Sequence, residues 1–221
     1  MGEQKFGIEH RACQHIAQAI KEVYALGVQM GIVVGGGNIF RGNQAESFGF
    51  ARTPADHIGM LATTINGLVL QQTLASLGVE SRVMSALNTD AIVEPYHWGH
   101  ALHSLQKGMI LIFVGGTGNP YFTTDSAAAL RASEIQAEIL LKATKVDGVF
   151  SEDPKNNPRA KKFDRLTYSE VLTKQLNVMD ATAIALCREN QIPICVFNLF
   201  EQGAMLKAVC GQQKGSLVTG G

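Results

Sequence analysis

Thr117, Thr123 and Thr124 stand among Gly115, Gly116, Gly118 and two aromatics, Tyr121 and Phe122, in the stretch MILIFVGGTGNPYFTTDS at 109–126. Glycines let a backbone approach a ligand closely, and their amides can point at an anion. Threonine hydroxyls add neutral donors for phosphate or sugar oxygens. Asp125 and Ser126-Ala127-Ala128-Ala129-Leu130 read as a helix start, with Asp125 as its N-cap. A helix N-terminus adds free N–H groups and a partial positive charge. The plain alternative is a capped turn between strand and helix, and a glycine loop alone is a weak signal. The threonines and aromatics gathered here favour an anion site.

A second glycine run, Gly35-Gly36-Gly37-Asn38, brings a cation, Arg41, close behind. The guanidinium fork can bind two phosphate oxygens; the alternative is a surface arginine. Asp56 lies in the first turn of a long helix, where a carboxylate complements the helix dipole; it equally suits the hydroxyls of a ribose. At 144–154, Asp147-Gly148 reads as a hairpin-type turn between apolar residues. Such a segment can grip a flat base, or be an ordinary hairpin. His97, His100 and His103 fall three apart, but companion metal ligands are absent and a solvated face is the preferred reading. Cys13, Cys187, Cys195 and Cys210 show no CxxC or zinc spacing, and their apolar contexts read as reduced, buried thiols of a cytosolic protein.

Alternating strands and helices must position these residues. Residues 109–114 form an unbroken apolar run, as in a strand buried on both faces. Ile16, Ala19, Ile20, Val23 and Leu26 mark one face of a helix over 9–26, stopped by Gly27. A strand is expected at 29–34. A helix at 54–77 carries Ile58, Leu61, Ile65, Leu68 and Gln72 along one stripe. Further strands are expected at 80–86, 139–143, 193–198 and 215–219, with helices at 97–107, up to about 137, and at 203–210. Thr167 and Glu170 form a capping box, and Asp180 caps a helix reaching about 190. This order predicts an α/β fold: a three-layer αβα sandwich with a mostly parallel central sheet, as one domain over 1–221. Ligands gather at the carboxyl ends of such strands. Both glycine loops and the 144–153 segment follow strands and can line one crevice.

The totals narrow the classes. A chain of 221 residues with 46% hydrophobic content has material for a sizeable core. Charged residues make up 17%, below the roughly 25% usual for soluble domains, which points to surface buried between subunits. Net charge is +0, so no broad electrostatic case exists for nucleic acid or an anionic membrane. No signal peptide is visible, and no apolar run approaches the roughly 18 residues of a membrane span.

The motifs IVVGGGNIFRG (32–42), DHIGMLATTINGL (56–68), GTGNPYFTTDSAA (116–128), KATKVDGVFSEDP (142–154), LTYSEVL (166–172) and VMDATA (178–183) run across nearly the whole chain. In these the sequence strongly resembles the bacterial uridylate (UMP) kinases of the amino-acid-kinase superfamily. The resemblance implies a cytoplasmic homohexamer that moves the γ-phosphoryl of Mg-ATP to UMP, giving UDP for pyrimidine nucleotide synthesis. It also implies activation by GTP and inhibition by UTP. By motif, Gly36, Asp56 and the run Thr117, Gly118, Asn119, Pro120, Tyr121, Phe122, Thr123 and Thr124 look like the UMP site. Gly37 and Arg41 look like phosphate-side ATP contacts; Thr144, Phe150 and Asp153 look like the adenine and ribose end. Arg41, Asp125 and Asp180 match positions near the reacting groups, with helix capping as the other reading of both aspartates. Gly2, Glu3, Gln4, Lys5, Phe6 and Gly7 resemble the GTP-regulatory segment.

Family members open with an apolar strand ending in a Lys-x-Ser-Gly-Glu loop whose lysine reaches the transferring phosphoryl. Here the chain opens at Met1-Gly2-Glu3 and contains no Lys-x-Ser-Gly, so the fold is expected to lack that first strand. Lys5 is not expected to replace the lysine. Two alternatives to the kinase follow. One is a nucleotide-binding or assembly form without catalysis. The other is a relative with another acceptor, such as a carbamate, acyl amino acid or isoprenyl phosphate, against which GTGNPYFTTD argues.

Overall fold

The computed structural model describes residues 7–41, 47–154, 156–157, 159–212 and 215–220. The chain divides into two compact units, Met1–Ala127 and Ala128–Gly221.

The first unit holds α1 (His10–Tyr24), β1 (Gly31–Val33), α2 (Arg52–Ser76), β2 (Ser81–Ser85), β3 (Glu94–Pro95), α3 (Trp98–Gln106) and β4 (Ile110–Val114). Its sheet runs β1-β4-β2-β3, parallel throughout, with Ile32 opposite Ile112 and Val83 opposite Ile112. All five residues of β4 are buried. Successive strand residues face opposite ways, so both faces of the sheet are covered at β4. Burying each such aliphatic side chain stabilises by about 1.5–3 kcal/mol, which makes β4 the axis of this unit. α1 buries Ala12, Ala17, Ile20 and Val23. Leu26, expected on that face, lies past the helix end and is exposed. Lys21 donates to the Leu77 carbonyl at 2.9 Å, placing a cation at the C-terminal end of α2.

α2 differs from expectation in the use of its apolar stripe. Its buried residues include Ala55, Met60, Ala62, Gly67, Leu70 and Leu74, whereas Ile58, Leu61 and Ile65 are exposed. The buried side mixes Met60, Leu70 and Leu74 with small residues, which are needed where the helix lies close on the strands; a Cβ at Gly67 would collide with Val114.

α4 (Thr124–Glu134) spans the division between the units. The second unit continues with β5 (Leu140–Thr144), β6 (Val149–Phe150), β7 (Lys162–Phe163), β8 (Arg165–Thr167), α5 (Tyr168–Thr173), α6 (Ala181–Glu189), β9 (Ile194–Asn198), α7 (Ala204–Val209) and β10 (Ser216–Thr219). Its sheet runs β5-β9-β10-β8; β5 is parallel to β9, β10 parallel to β8, and β9 antiparallel to β10. β9 shows the layering: Ile194 and Val196 join the cluster of Leu140, Tyr168 and Ile184, while Cys195 and Phe197 join that of Ala204 and Ala208. The alternation expected of an α/β sheet with cover on both faces is met.

The expected hairpin at Asp147-Gly148 is corrected. β6 pairs not with β5 but with β7, across the 151–161 segment. A Cβ at Gly148 would meet the Ser216 hydroxyl, which accepts the Val149 N–H at 2.7 Å and donates to the Phe163 carbonyl. The strand is therefore drawn to β10 rather than folded back. Two cysteine expectations are also corrected: Cys187 and Cys195 are buried, but Cys13 is only partly so and Cys210 is exposed. Among the described residues no helix is long and apolar enough to cross a membrane.

Candidate nucleotide-binding site

β1 and β4 are adjacent and parallel, so the loops that leave their carboxyl ends emerge side by side. Gly35 confirms the approach: a Cβ there would lie 3.3 Å from the Thr124 hydroxyl. Gly36 rests directly on α2. A Cβ at Gly36 would collide with the Gly59 carbonyl and stand 2.9 Å from Ala62, so no larger residue fits. The Gly36 carbonyl then accepts the N–H groups of Ile39 and Phe40, both at 3.0 Å, closing the turn. Arg41 Nε donates to the Gly37 carbonyl at 2.6 Å, which folds the cation back onto the loop.

The loop after β4 is a run of left-handed residues, with Gly115 at φ +77°, Gly116 at +59° and Gly118 at +81°. L side chains rarely accept these angles, so the glycines are the reason the chain can turn here. Thr117 Oγ1 accepts the Asn119 N–H at 3.2 Å, and the Gly118 N–H donates to the Gly115 carbonyl at 2.9 Å. Pro120 leads into Tyr121, which holds φ +72° without being glycine. Its N–H donates to Asp56 Oδ2 at 2.8 Å. Tyr121 and Phe122 are both more than half exposed. Thr123, not Asp125, caps α4: its hydroxyl accepts the N–H groups of Asp125 at 3.1 Å and Ser126 at 3.2 Å. Asp125 sits inside the first turn, where its charge complements the dipole. Within this unit the structure thus brings Gly36, Asp56 and the 117–124 run together around the ends of two strands.

Two supports were not foreseen from the sequence. The buried Thr63 hydroxyl donates to the Met60 carbonyl at 2.6 Å and accepts the Gly115 N–H at 2.7 Å, locking the second glycine loop to α2. Asn66 donates to the Gly35 carbonyl and to Asn38 Oδ1, each at 2.7 Å, and so holds the first loop. A mid-helix Thr or Asn carries no sequence signal for such a role. Arg52, four residues before Asp56, does have the spacing of a helical ion pair; it lies 2.9 Å from the Asp56 carboxylate.

In the second unit, Thr144 closes β5. Its hydroxyl accepts the Val146 N–H at 3.1 Å and lies 2.6 Å from the Val146 carbonyl, shaping the turn that follows. Phe150 is in β6, opposite Lys162. The Asp153 carbonyl accepts from Asn156 and Asn157, at 3.0 and 2.9 Å. Asp180 caps α6, accepting the Ala183 N–H at 2.8 Å. Gly2, Glu3, Gln4, Lys5 and Phe6 lie outside the described residues; Gly7 exchanges hydrogen bonds with Asn38, its N–H donating at 2.6 Å and its carbonyl accepting at 3.0 Å. His97, His100 and His103 are exposed, with His100 3.5 Å from Glu94.

Residues 4–198 match the amino acid kinase family. The uridylate kinase of Protochlamydia amoebophila is 60% identical over 199 residues, covering 90% of this chain and 79% of that protein. The uridylate kinase of Magnetococcus marinus is 51% identical over 218 residues, covering 99% and 90%. The crystal structure of UMP kinase from Bacillus anthracis superposes with TM-score 0.95 at 41% identity, covering 98% of this chain and 90% of that one. UMP kinase from Ureaplasma parvum gives 0.94 at 39%, covering 99% and 93%. The chain belongs to the amino acid kinase family and, within it, to the uridylate kinases.

Proposed function

We propose that the chain is a UMP kinase: it transfers the γ-phosphoryl of Mg-ATP to UMP, giving UDP and ADP in pyrimidine nucleotide synthesis. The observation that carries this is the identity of 51–60% with uridylate kinases over 199 to 218 residues. The geometry of the first unit supports the same reading. Each named relative is called a uridylate or UMP kinase, which gives no support to a binding form without catalysis.

Phosphoryl transfer between two phosphates is mainly positioning and neutralisation of charge. Gly36 and the 117–124 loop offer backbone N–H groups and threonine hydroxyls to UMP, and Asp56 offers its carboxylate to the ribose. Gly37 and Arg41 serve the ATP phosphates. Thr144, Phe150 and Asp153 serve its adenosine end. Arg41 spreads positive charge over the transferring group, and Asp125 and Asp180 act near the reacting phosphates while serving their helices. Mg2+ enters as part of Mg-ATP, since it binds largely through substrate phosphates and water. Both units form one kinase domain in this reading. The exposed stripe of Ile58, Leu61 and Ile65 supports a homo-oligomer, a hexamer by family resemblance. GTP as activator acting through 2–7, UTP as inhibitor and a cytoplasmic location belong to the same reading.

UMP titration by calorimetry tests the site. The wild type is expected to bind UMP, and Gly36→Ala to weaken it at least about tenfold, roughly 1.4 kcal/mol. UMP binding that is absent, or untouched by Gly36→Ala, contradicts the assignment.

A further inference from the structure

Arg52 has no part in the reaction as set out above, yet it touches two of its groups. It opens α2, one turn before Asp56. Its Nε lies 2.9 Å from Asp56 Oδ2 and 3.2 Å from Oδ1. Its guanidinium carbon sits 5.4 Å from the centre of the Tyr121 ring, within the range of a cation–π contact. Tyr121 in turn donates its N–H to Asp56 Oδ2. The three groups close a triangle that joins α2 to a loop 65 residues away in sequence.

The two carboxylate oxygens are unequally used. Oδ2 takes the Tyr121 N–H and the shorter arm of the Arg52 Nε–H. Among the described residues, Oδ1 takes only the longer arm of that same shared hydrogen. A carboxylate has about four acceptor positions, so Oδ1 keeps most of its capacity. An exposed ion pair one helical turn apart is by itself worth little. The third partner changes that. Tyr121 holds a left-handed conformation unfavourable to a non-glycine residue, and both the carboxylate on its N–H and the cation against its ring act on that residue.

We propose that Arg52 is a positioning and specificity-determining residue of the monophosphate site. It turns the Asp56 carboxylate so that Oδ1 remains for a ribose hydroxyl, and it pins the Tyr121 loop beside it. The proposal deepens the UMP reading and rests on it. Its chemical consequence concerns the sugar. A site built to hydrogen-bond a hydroxyl rejects the analogue that lacks it, so loosening Asp56 weakens discrimination between UMP and dUMP.

Steady-state kinetics of the wild type, Arg52→Ala and Arg52→Lys with UMP, dUMP and Mg-ATP tests this. Arg52→Ala is expected to raise KM for UMP about tenfold, a shift of about 1.4 kcal/mol, with kcat within about twofold and KM for Mg-ATP unchanged. The UMP-over-dUMP preference in kcat/KM should fall at least about threefold. Arg52→Lys, which keeps the charge without the fork, should fall between the two. An unchanged UMP KM and unchanged preference in Arg52→Ala, from a wild type that phosphorylates UMP, overturns this proposal alone. So does an equal rise in both KM values with a lowered melting temperature, the mark of general loosening. A wild type that neither binds nor phosphorylates UMP removes the UMP reading and this proposal with it.

Discussion

Thr63 is the residue on which the second glycine loop hangs. Its hydroxyl sits between the Met60 carbonyl and the Gly115 N–H, and Thr63→Val leaves that buried N–H without a partner. The expected cost is about 1–3 kcal/mol, read as a lower urea midpoint, with Thr63→Ser close to wild type. The thiols differ as sharply. Burial pushes the Cys187 thiol up to about 11 and raises Cys195 as well, and the thiolate is the reactive form. In the native protein a thiol reagent should therefore label exposed Cys210 and reach Cys187 and Cys195 only in denaturant, as mass spectrometry of digests would show. A labelled native Cys187 would contradict its placement. At this scale the glycine turns after β1 and β4 were legible, because a glycine run behind an apolar strand marks a positive φ or a close approach, as at Gly115, Gly118 and Gly36. Thr63 and Asn66 were not, because a polar residue inside a helix looks the same whether it meets water or a loop from elsewhere in the chain.

Capping was read well where the motif is local. Thr167 and Glu170 form the expected box, with Glu170 Oε2 accepting the Thr167 N–H at 2.9 Å. That bond first, and Lys174 second, hold the Glu170 carboxyl below its ordinary value of 4.5. A depressed folded pKa contributes stability that is present above the unfolded value and lost as pH falls through the folded one. Glu170→Gln should therefore be less stable than wild type near neutral pH, with the difference closing as the pH drops below 4.5; a difference constant with pH in thermal melts would refute this. Asp180→Ala removes the cap of α6 and should cost about 0.5–2 kcal/mol. If Asp180 also acts near the phosphates, kcat falls further than that stability loss explains. Where two caps compete, local reading erred: Thr123 takes the position assigned to Asp125, since its hydroxyl reaches both the Asp125 and Ser126 amides. The 147–148 turn failed for a different reason. The partner that draws β6 away is Ser216, which no window around Gly148 contains.

At the scale of the molecule, the longer strands and helices were legible in order, because β4 and β9 are apolar enough to be read as buried; the short β3, β7 and β8 were not, since two or three residues carry no periodicity. Which side of α2 faces inward was not. Periodicity finds an apolar stripe but not which way it faces, and the inner face is built from Ala55, Ala62 and Gly67 together with Met60, Leu70 and Leu74. The outer stripe predicts assembly. Leu61→Lys, at a residue 51% exposed in the chain alone, should leave the fold intact and shift sedimentation toward smaller species; an unchanged sedimentation profile would contradict assembly through this stripe. The central claim is the reaction itself, and UDP formation from UMP and Mg-ATP by the purified chain, beside CMP and no-acceptor controls, tests it most directly. The account predicts UDP formed from UMP and little product with CMP. Equal turnover of UMP and CMP, or no UDP from a folded sample, would contradict it.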